Sequence, residues 1–456
     1  MIPPSVEREI PAEFDLDCQT LIIGAGACGL IAALSAQEAG QEPLVIEADA
    51  VPAGSTALSA GLIPAAGTRL QNALGIEDSS ELFASDIQAK ANNENDPVIV
   101  GSLTDNAAGV IEWLIDEHDL PFSLVNDFDY PGHSRRRMHG LPSRSGAELI
   151  DALRSACERA GIDIICERRA RTLYALEDAV YGVLVERPDG QTESIGCSKL
   201  ILACNGFGGN RDLVAQHMPE IKDGVWFGHD GNRGEAIQWG ALLDAGMHHL
   251  GSYQGHGNVA HPHGILITWA VITEGGIHVN SDGNRFWNEA QGYSEAGRAV
   301  LSQPGGVAFA IFDSRIAGIA RQFEDFKQAE AAGAILSNNT LAGLAVDLGL
   351  PPTTLTKTVN ELPLGQTDAF GRSFADRPLE APFCGVRVTG ALFHTQGGLL
   401  TGPTGKVLHH SGRPFSNLFA GGGAACGVSG KADGGYLSGN GLLSAVVFGR
   451  LSGLAD

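Results

Sequence analysis

The sequence predicts an α/β fold in which a parallel sheet is interrupted by a middle domain. Three observations predict it. Apolar runs typical of parallel strands lie at Thr20–Ile23 and Lys199–Cys204, and a glycine-rich turn directly follows the first. Residues 261–384 differ from the rest of the sequence in their pattern, with longer polar loops and helical stretches. A strand-like run at Leu418–Ala420 and an apolar helix at Gly441–Leu454 then return the chain to the first domain.

The turn after the first strand has the pattern of a dinucleotide-binding site. Gly24 suits the tight turn, Gly26 the close approach of a pyrophosphate, and Gly29 the packing of helix on strand. A second strand-like run, Pro43–Ala48, contains Glu47, 18 residues after the last of these glycines. An acid there binds ribose hydroxyls in such folds. The sequence therefore predicts a Rossmann-like nucleotide-binding domain.

Further elements follow in order along the chain. Helices are predicted at Ala107–Asp119, Gly146–Ala160 and Asn339–Leu348, and short strands at Ile162–Glu167, Arg171–Leu176, Val180–Arg187 and Gln191–Cys197. A Pro-Asp-Gly turn separates the last two strands. These short strands predict an antiparallel insert beside the main sheet. We detect no internal repeat.

Composition excludes several classes of partner. The 456 residues include 53 acidic and 30 basic ones, for a formal net charge of −23, which argues against nucleic acid and anionic membranes. No secretory signal is visible, and no apolar run approaches the ~18 residues of a membrane span. We expect a cytoplasmic protein without a membrane span. The eight cysteines form no CxxC pair, and the His261-Pro262-His263 loop has no further ligand nearby, so no metal site is predicted.

Several motifs in the same order resemble one family, the fumarate reductase and 3-ketosteroid dehydrogenase class of FAD flavoproteins. They are the nucleotide turn, GSTALSAG (54–61), LACNGFGGN (202–210), GGIHVNSDGNRFWNE (275–289), DAFGR (368–372), HTQGGL (394–399), and LFAGGG followed by YLSGNGLLSAVVFGRLSG near the end. The resemblance implies an FAD-binding domain made of residues 1–260 and 385–456, with an inserted α+β capping domain at 261–384 that carries catalytic residues.

The resemblance also implies which residues hold the cofactor. They are Gly24, Gly26, Ala27, Cys28, Gly29, Glu47, Ala48, Ser55, Thr56, Ser59, Gly61, Ala203, Asn205, Gly206, Gly422, Gly423, Asn440 and Leu442. The covalent members carry an attachment histidine near residues 54–61, and this chain has none there, so we expect non-covalent FAD. The second glycine cluster, 421–426, lacks the third glycine of a nicotinamide-binding turn. Electrons are therefore expected to leave to an external acceptor: a quinone, an electron-transfer protein or oxygen.

Charged substrate-binding residues of fumarate reductases are replaced in this chain. Similarity to those enzymes places Trp269, Ile272 and Tyr293 where they carry a glutamate and two arginines, and Tyr436 where they carry the arginine that binds a substrate carboxylate. A buried dicarboxylate needs fixed cations to offset its desolvation. The replacements argue against fumarate or succinate and favour a neutral substrate.

Two tyrosines at these positions resemble the 3-ketosteroid dehydrogenases. The resemblance implies that the enzyme desaturates a cyclic ketone, steroidal or smaller, by removing an α proton while a hydride leaves for flavin N5. Tyr293 is the first candidate base, with Tyr436 and the backbone N–H of Asn440 as the carbonyl clamp. Since Tyr436-x-Ser438 resembles the Δ4-(5α) enzymes, base and clamp are interchangeable between the two tyrosines. Tyr130 resembles a third active-site tyrosine.

Other residues are expected to line the substrate site. His394 and His256 match or lie near the two substrate-binding histidines of fumarate reductases, and Trp269 is expected beside them. Two alternatives to the ketone dehydrogenase stay open. One is a reductase of an unsaturated acid that uses externally supplied electrons, and the other is a flavin-binding protein without catalysis.

Overall fold

A computed structural model describes residues 3–126 and 129–456. The chain divides into two compact units. The first comprises residues up to Leu213, Gly228–Tyr253 and His394–Asp456, and the second comprises Val214–Phe227 and Gln254–Phe393. The sequence-based boundaries differ from this division: they place residues 214–227, 254–260 and 385–393 in the FAD-binding domain. These residues belong to the second unit because they contribute strands to its sheet.

The structure assigns the following strands and helices within the described residues. The strands are β1 (Ser5–Glu7), β2 (Leu16–Ile23), β3 (Pro43–Ile46), β4 (Ile63–Pro64), β5 (Ser123–Leu124), β6 (Met138–Gly140), β7 (Asp163–Ile165), β8 (Arg169–Leu176), β9 (Ala179–Glu186), β10 (Thr192–Leu202), β11 (Val225–Trp226), β12 (Met247–His248), β13 (Tyr253–Ala260), β14 (Ile265–Leu266), β15 (Ile277–Val279), β16 (Val307–Asp313), β17 (Ile335–Asn338), β18 (Phe383–Thr395), β19 (Gly398–Leu399), β20 (Lys406–Leu408) and β21 (Pro414–Ala420). The helices are α1 (Ala27–Glu38), α2 (Gly54–Ala57), α3 (Arg69–Ala73), α4 (Ser80–Lys90), α5 (Pro97–Asp116), α6 (Gly146–Arg159), α7 (Arg211–His217), α8 (Glu235–Leu242), α9 (Ala270–Thr273), α10 (Tyr293–Leu301), α11 (Ser314–Ala320), α12 (Glu324–Ala331), α13 (Leu341–Leu348), α14 (Pro352–Asn360) and α15 (Asn440–Leu454).

The first unit is built on a mixed sheet with the order β1-β8-β9-β10-β2-β3-β7, and β21 also pairs with β10. Strands β2, β3, β7, β10 and β21 run parallel to one another, and residues Thr20–Ile23 of β2 are buried. Burial on both faces explains the uninterrupted apolar run that predicted this strand. The predicted α/β fold with a nucleotide-binding sheet is confirmed.

The predicted antiparallel insert is part of this same sheet. Two predicted strands, Gln191–Cys197 and Lys199–Cys204, are one continuous strand, β10. Its first half pairs with β9 antiparallel, while β2 runs parallel along most of its length. The polar pair Ser198-Lys199 interrupts the apolar pattern, so the sequence predicted two strands. Lys199 is nevertheless buried, because its ammonium group donates to carbonyl oxygens at the C-terminal end of α15, including that of Gly453 at 3.1 Å.

Helices α1 and α15 pack closely in the first unit, and glycines make that approach possible. A Cβ at Gly449 would lie 2.6 Å from the carbonyl oxygen of Cys28, and a Cβ at Gly453 would lie 2.5 Å from that of Ala32. Both distances are too short for any side chain. The C-terminal helix is therefore held against the helix that begins at the nucleotide turn.

Helix α5 departs from the expectation that no apolar run approaches the length of a membrane span. Among the described residues it is the one helix that is long and apolar enough to cross a membrane by length and composition, with 20 residues. Polar residues such as Asp105 and Glu112 interrupt its apolar run in the sequence. Its buried face, which includes Ile99, Leu103 and Ile111, belongs to the hydrophobic core of the first unit. A helix buried in a hydrophobic core can have the same length and apolar composition.

The second unit contains a sheet with the order β14-β13-β18-β16-β15, to which β11 and β17 add by pairing with β18. Strands β16 and β18 pair antiparallel over seven residues. Two hydrophobic clusters lie in this unit, one with Trp269, Trp287 and Phe312 and the other with Ile277, Leu344 and Leu355. Helix α10 begins at Tyr293, directly after Gly292, whose φ of 136° favours glycine.

Candidate active site

The glycine turn after β2 has the geometry that a dinucleotide needs. Gly24 has a φ of 107°, and a Cβ there would lie 2.5 Å from the carbonyl oxygen of Ala203, which follows β10. A Cβ at Gly29 would lie 1.8 Å from the carbonyl oxygen of Gly24. At Gly26, by contrast, the only atom within 4 Å of a Cβ would be Oγ1 of Thr56, at 3.7 Å. The first and third glycines are thus required by the fold, and the second leaves space beside the N-terminus of α1, where Cys28 is buried in the first turn.

Glu47 lies next to this turn, directly after β3 and before Ala48. Its carboxylate accepts hydrogen bonds from the backbone N–H of Ala25, at 2.8 Å, and of Asp49, at 3.0 Å. A carboxylate has about four acceptor positions, so these two bonds orient the group and leave capacity for ribose hydroxyls. Asp49 in turn contacts Nε2 of His229 at 2.8 Å. Sequence reasoning missed His229, which lies far along the chain without a local motif.

Ser55 connects two asparagine side chains beside the turn. Its hydroxyl oxygen accepts from Nδ2 of Asn205 at 2.7 Å and from Nδ2 of Asn232 at 2.8 Å, which leaves the hydroxyl proton for a further acceptor. Asn205 also accepts from the N–H of Gly206 at 2.8 Å. Asn232 is buried and was not predicted from the sequence.

Further predicted cofactor residues lie around Ser55. The hydroxyl of Thr56 accepts from the backbone N–H of Ala27 at 3.2 Å. Ser59 donates to the carbonyl oxygen of Thr56 at 2.7 Å and accepts from the N–H of Gly61 at 3.0 Å. The segment from 54 to 61 is thereby fixed against the first turn of α1.

The second glycine cluster and the start of α15 complete this region of the first unit. Gly422 has a φ of 57°, and a Cβ at Gly423 would lie 2.1 Å from Oδ1 of Asn205. On α15, where Leu442 packs against the core, Oδ1 of Asn440 and Oγ of Ser444 are buried without a hydrogen-bond partner in the described part of the chain. The open turn at the second glycine and these buried polar atoms fit a bound dinucleotide such as FAD.

Tyr436 lies immediately before α15 and is buried. Burial raises the pKa of its hydroxyl, and hydrogen bonds from the backbone of Gly439 and Gly441 to that hydroxyl partly oppose the rise. The phenol therefore sits at the positive end of the helix dipole and stays protonated at neutral pH. It is a polarised hydroxyl donor without a charge of its own.

One member of the expected carbonyl clamp is already engaged. The backbone N–H of Asn440 donates to the carbonyl oxygen of Leu437 at 3.1 Å, so the turn uses it instead of a substrate. This hydrogen bond has a local cause. Gly439 lies in the left-handed region, with a φ of 87°, and turns the N–H of Asn440 back toward Leu437. The carbonyl oxygen of Ser438 is bonded to Nε2 of His133 at 2.9 Å.

His394 lies at the end of β18 beside Tyr436, as the resemblance implied for a site residue. The two rings meet edge-on, with centroids 5.4 Å apart and an interplanar angle of 76°. Burial lowers the pKa of His394 to about 4, so the ring is neutral near pH 7. Nδ1 of His394 lies 2.9 Å from Nε2 of Gln396. Sequence reasoning noted the HTQGGL motif but missed Gln396.

Tyr130 belongs to the same unit. It packs against a small buried cluster of Leu62, Val125 and Met138. A Cβ at the nearby Gly132 would lie 2.6 Å from Cδ1 of Leu437, so the segment after Tyr130 contacts the loop that carries Tyr436.

The second unit groups its three predicted site residues in one aromatic cluster. His256 stacks on Tyr293, with centroids 5.2 Å apart at 20°, and on Phe393 at 5.4 Å and 21°. Trp269 meets His256 edge-on at 5.7 Å, and Phe227 continues the stack on Phe393 at 4.8 Å. Burial lowers the pKa of His256 to about 3, so this ring is also neutral.

A buried ionic cluster accounts for two further motifs in the second unit. Glu289 is fully buried and pairs with Arg285, and its carboxylate lies 3.1 Å from Nη1 of Arg372. Arg285 also pairs with Asp368. Arg372 donates to the carbonyl oxygens of Ile272, at 3.0 Å, and Gly276, at 2.9 Å. These charges bind one another, so the cluster has a structural role in this unit.

Within the described residues, no group of three or more histidine, cysteine or acidic side chains could hold a metal ion. The eight cysteines are all free thiols. Burial raises the pKa of Cys28, Cys157 and Cys426 to about 12, which keeps these thiols protonated.

Comparisons with known proteins agree with this geometry. A family model described as FAD binding domain matches residues 19–442. A probable fumarate reductase of Shewanella frigidimarina (strain NCIMB 400) is 32% identical over 98% of this chain and 76% of its own length. The structure of a flavocytochrome c3 fumarate reductase in an open conformation superimposes with a TM-score of 0.82 at 29% identity, covering 97% of this chain and 78% of that one.

The fold is also shared with a ketosteroid dehydrogenase. The 3-ketosteroid-Δ4-(5α)-dehydrogenase of Rhodococcus jostii RHA1, solved with 4-androstene-3,17-dione, gives a TM-score of 0.79 at 24% identity over 99% of both chains. At that identity the likeness concerns the fold. With the dinucleotide turn, the fit to FAD and the family match over most of its length, this chain belongs to the FAD binding domain family and is an FAD-dependent oxidoreductase.

Proposed function

We propose that this FAD-dependent oxidoreductase acts on CH–CH groups and introduces a C=C bond next to the ketone of a neutral cyclic molecule, a 3-ketosteroid or a smaller cyclohexanone-type ring. The observation that carries the proposal is the environment of Tyr436. Its buried hydroxyl receives hydrogen bonds from Gly439 and Gly441 and lies beside the neutral ring of His394. The resemblance to fumarate reductases implies an arginine in its place.

The charge state of these side chains supports a neutral substrate. A buried carboxylate needs a cation, typically a bidentate arginine, to offset its desolvation. Tyr436 is protonated and neutral, and the low pKa values of His394 and His256 keep both rings neutral at pH 7. Neutral hydroxyl and imidazole donors suit the oxygen of a ketone, whose charge develops only during the reaction.

The tyrosines divide the chemistry between them. We assign the carbonyl oxygen to Tyr436, because a protonated phenol at a helix N-terminus donates to a developing enolate oxygen. Tyr293 is assigned the removal of the α proton, by resemblance to the dehydrogenases. In the swapped assignment Tyr436 and Ser438 remove the proton instead. Bound FAD supplies the acceptor for the hydride, and an external quinone, electron-transfer protein or oxygen takes the electrons onward.

A second candidate function is the reduction of an unsaturated acid with externally supplied electrons. The identity of 32% to a probable fumarate reductase favours it. A protonated Tyr436 is suited to deliver a proton in such a reduction.

The test uses purified enzyme with FAD and a dye acceptor. The panel contains 3-ketosteroids, substituted cyclohexanones and, as a charge control, succinate-type acids. We expect dye reduction with at least one ketone and none with the acids, and dye reduction with the acids alone would contradict the proposal. Anaerobic assays with reduced viologen on enones and fumarate-like acids decide the direction, and turnover of the acids alone would favour the second candidate.

A further inference from the structure

A continuous chain of polar side chains leads from helix α15 to His394 in the first unit. Nδ2 of Asn440 donates to Oγ of Ser429 at 3.3 Å, and Ser429 donates to Oε1 of Gln396 at 2.8 Å. Nε2 of Gln396 lies 2.9 Å from Nδ1 of His394. Gln396, Ser429 and Asn440 are all buried, while His394 itself is partly exposed.

Backbone hydrogen bonds fix the position of Gln396 in this series of side chains. Its N–H donates to the carbonyl oxygen of Ser252 at 2.8 Å, and its own carbonyl oxygen accepts from the N–H of Gly427 at 2.8 Å. A Cβ at Gly427 would lie 3.3 Å from Oε1 of Gln396, so the side chain is confined as well. The amide therefore presents one defined group to His394.

The direction of these hydrogen bonds determines the proton position on His394. Nδ1 of His394 has two polar neighbours, the amide nitrogen of Gln396 at 2.9 Å and the carbonyl oxygen of Thr395 at 3.4 Å. The amide nitrogen can only donate and makes the shorter contact, so we assign Nδ1 as its acceptor and place the proton of the neutral ring on Nε2. Ser429 supports this orientation of the Gln396 amide, because its single hydroxyl proton is donated to Oε1 of Gln396 and its oxygen accepts from Asn440. The chain thus has one consistent direction from the helix to the histidine.

The proton on Nε2 points away from the hydrogen-bonded side chains of Gln396, Ser429 and Asn440. A Cβ at Gly441 would lie 3.3 Å from Nε2 of His394 and 3.0 Å from its Cε1. Glycine at this position avoids a side chain beside the donor edge of the ring. Tyr436 lies next to the same ring, edge-on.

We infer that Gln396 and Ser429 are positioning residues that hold His394 as the neutral tautomer with its proton on Nε2, so that His394 donates to the carbonyl oxygen of the ketone substrate beside Tyr436. The inference rests on the proposed function for its substrate, but its tautomer is a property of the enzyme alone. Loss of the group that orients a metal-binding histidine typically costs 10- to 100-fold in affinity or activity, and we expect a loss of that order for His394.

The decisive experiment needs no substrate. Holoenzyme labelled with ¹⁵N-histidine is examined by NMR at pH 7, and His394→Asn assigns the resonance. We expect a protonated Nε2 and an unprotonated Nδ1 in the wild type. In Gln396→Glu a carboxylate faces Nδ1 and can only accept, so we expect Nδ1 to become protonated. Gln191→Glu, the same substitution at an exposed site, serves as the control and should leave the wild-type pattern.

Kinetics separates positioning from simple packing. With the ketone found active, Gln396→Glu should lower kcat/KM about 10- to 100-fold and add a titration limb to the pH profile, whereas Gln396→Glu in the His394→Asn background should cause no further loss. Ser429→Ala tests the chain without a buried charge and should give a smaller loss of the same kind. Nδ1 protonated in the wild type, or an additive double variant, would overturn the inference. Absence of any ketone turnover would overturn the proposed function, while the tautomer would still be decided by NMR.

Discussion

Tyr436 and His394 form an edge-to-ring contact at the N-terminus of α15, with ring centroids 5.4 Å apart. Each side chain is neutral at pH 7, since burial raises the pKa of the phenol and lowers that of the imidazole to about 4. Two uncharged hydrogen-bond donors therefore lie side by side near a helix N-terminus. Under the proposed function, such a pair is suited to negative charge that forms on an oxygen during a reaction and less suited to a permanent anion.

Tyr436→Phe removes the hydroxyl from this pair. We expect kcat/KM for the active ketone to fall at least about 100-fold, because the donor to the enolate oxygen is lost. The substitution also leaves the backbone groups of Gly439 and Gly441 without their acceptor, at a cost of about 1–3 kcal/mol in stability. Steady-state kinetics and urea unfolding measure the two effects separately.

Tyr181→Phe is the matched control, since Tyr181 is exposed on β9. It should change neither activity nor stability measurably. Flavin absorbance per protein should stay at the wild-type value in both variants. Full ketone turnover by Tyr436→Phe would remove Tyr436 from the chemistry.

Two alanine substitutions in one turn distinguish the cofactor from the fold. At Gly26 a Cβ meets only Oγ1 of Thr56, at 3.7 Å, so Gly26→Ala should leave the apoprotein as stable as wild type but weaken FAD binding. At Gly29 a Cβ would lie 1.8 Å from the carbonyl oxygen of Gly24, so Gly29→Ala should destabilise the apoprotein itself. Flavin content and thermal unfolding without FAD measure these outcomes. Equal destabilisation by both changes would contradict the distinction.

Local patterns predicted the nucleotide-binding part of the fold well. Gly29 is required by the carbonyl oxygen of Gly24, five residues away, so the spacing of the glycines alone indicates the geometry of this turn. The continuity of β10 could not be predicted in this way. Ser198 and Lys199 interrupt the apolar pattern between the two predicted strands. Distant carbonyl oxygens, including that of Gly453, accept from the ammonium group and explain how this lysine is buried.

The candidate site shows the same limit. Sequence and resemblance pointed to Tyr436, His394 and Ser55, but not to two residues that hydrogen-bond to members of this set. Asn232 reaches Ser55 across 177 positions of sequence, and Gln396 is recognisable only when its hydrogen bonds are seen. Buried polar residues that act through distant partners carry no periodic signal, so such roles need the three-dimensional structure.

Acid should destabilise the protein through its buried histidines, and His139 tests this most directly. Its ring is bonded to Oγ1 of Thr68 and to the carbonyl oxygen of Arg137, both at 2.9 Å. Burial lowers the pKa of His139 to about 4, below the reference value of 6.5. Between pH 6.5 and about 4 the unfolded chain therefore binds a proton at His139 that the folded chain does not bind. The neutral, buried ring of His139 thus contributes its full share of the unfolding free energy above pH 6.5, and this share is lost as the pH falls.

The measurement is urea unfolding between pH 7 and pH 4.5 for wild type and His139→Gln. The slope of the unfolding free energy against pH should be smaller in the variant by up to about 1.4 kcal/mol per pH unit in this window. His263→Gln, on the loop after β13, is the control and should keep the wild-type slope. Identical slopes for wild type and His139→Gln would contradict the assignment.

Glu289 should be the most costly single charge to remove from the second unit. It is fully buried, pairs with Arg285, lies 3.1 Å from Nη1 of Arg372, and accepts from the N–H of His278 at 3.0 Å. Glu289→Gln keeps the shape but leaves two buried arginines to share Asp368, at an expected cost of about 3–5 kcal/mol in unfolding free energy. Glu330→Gln, which breaks the more exposed pair with Arg321, should cost at most about 1 kcal/mol. Urea unfolding followed by tryptophan fluorescence reports on this unit through Trp269 and Trp287, and equal losses in the two variants would show that burial of the cluster contributes nothing.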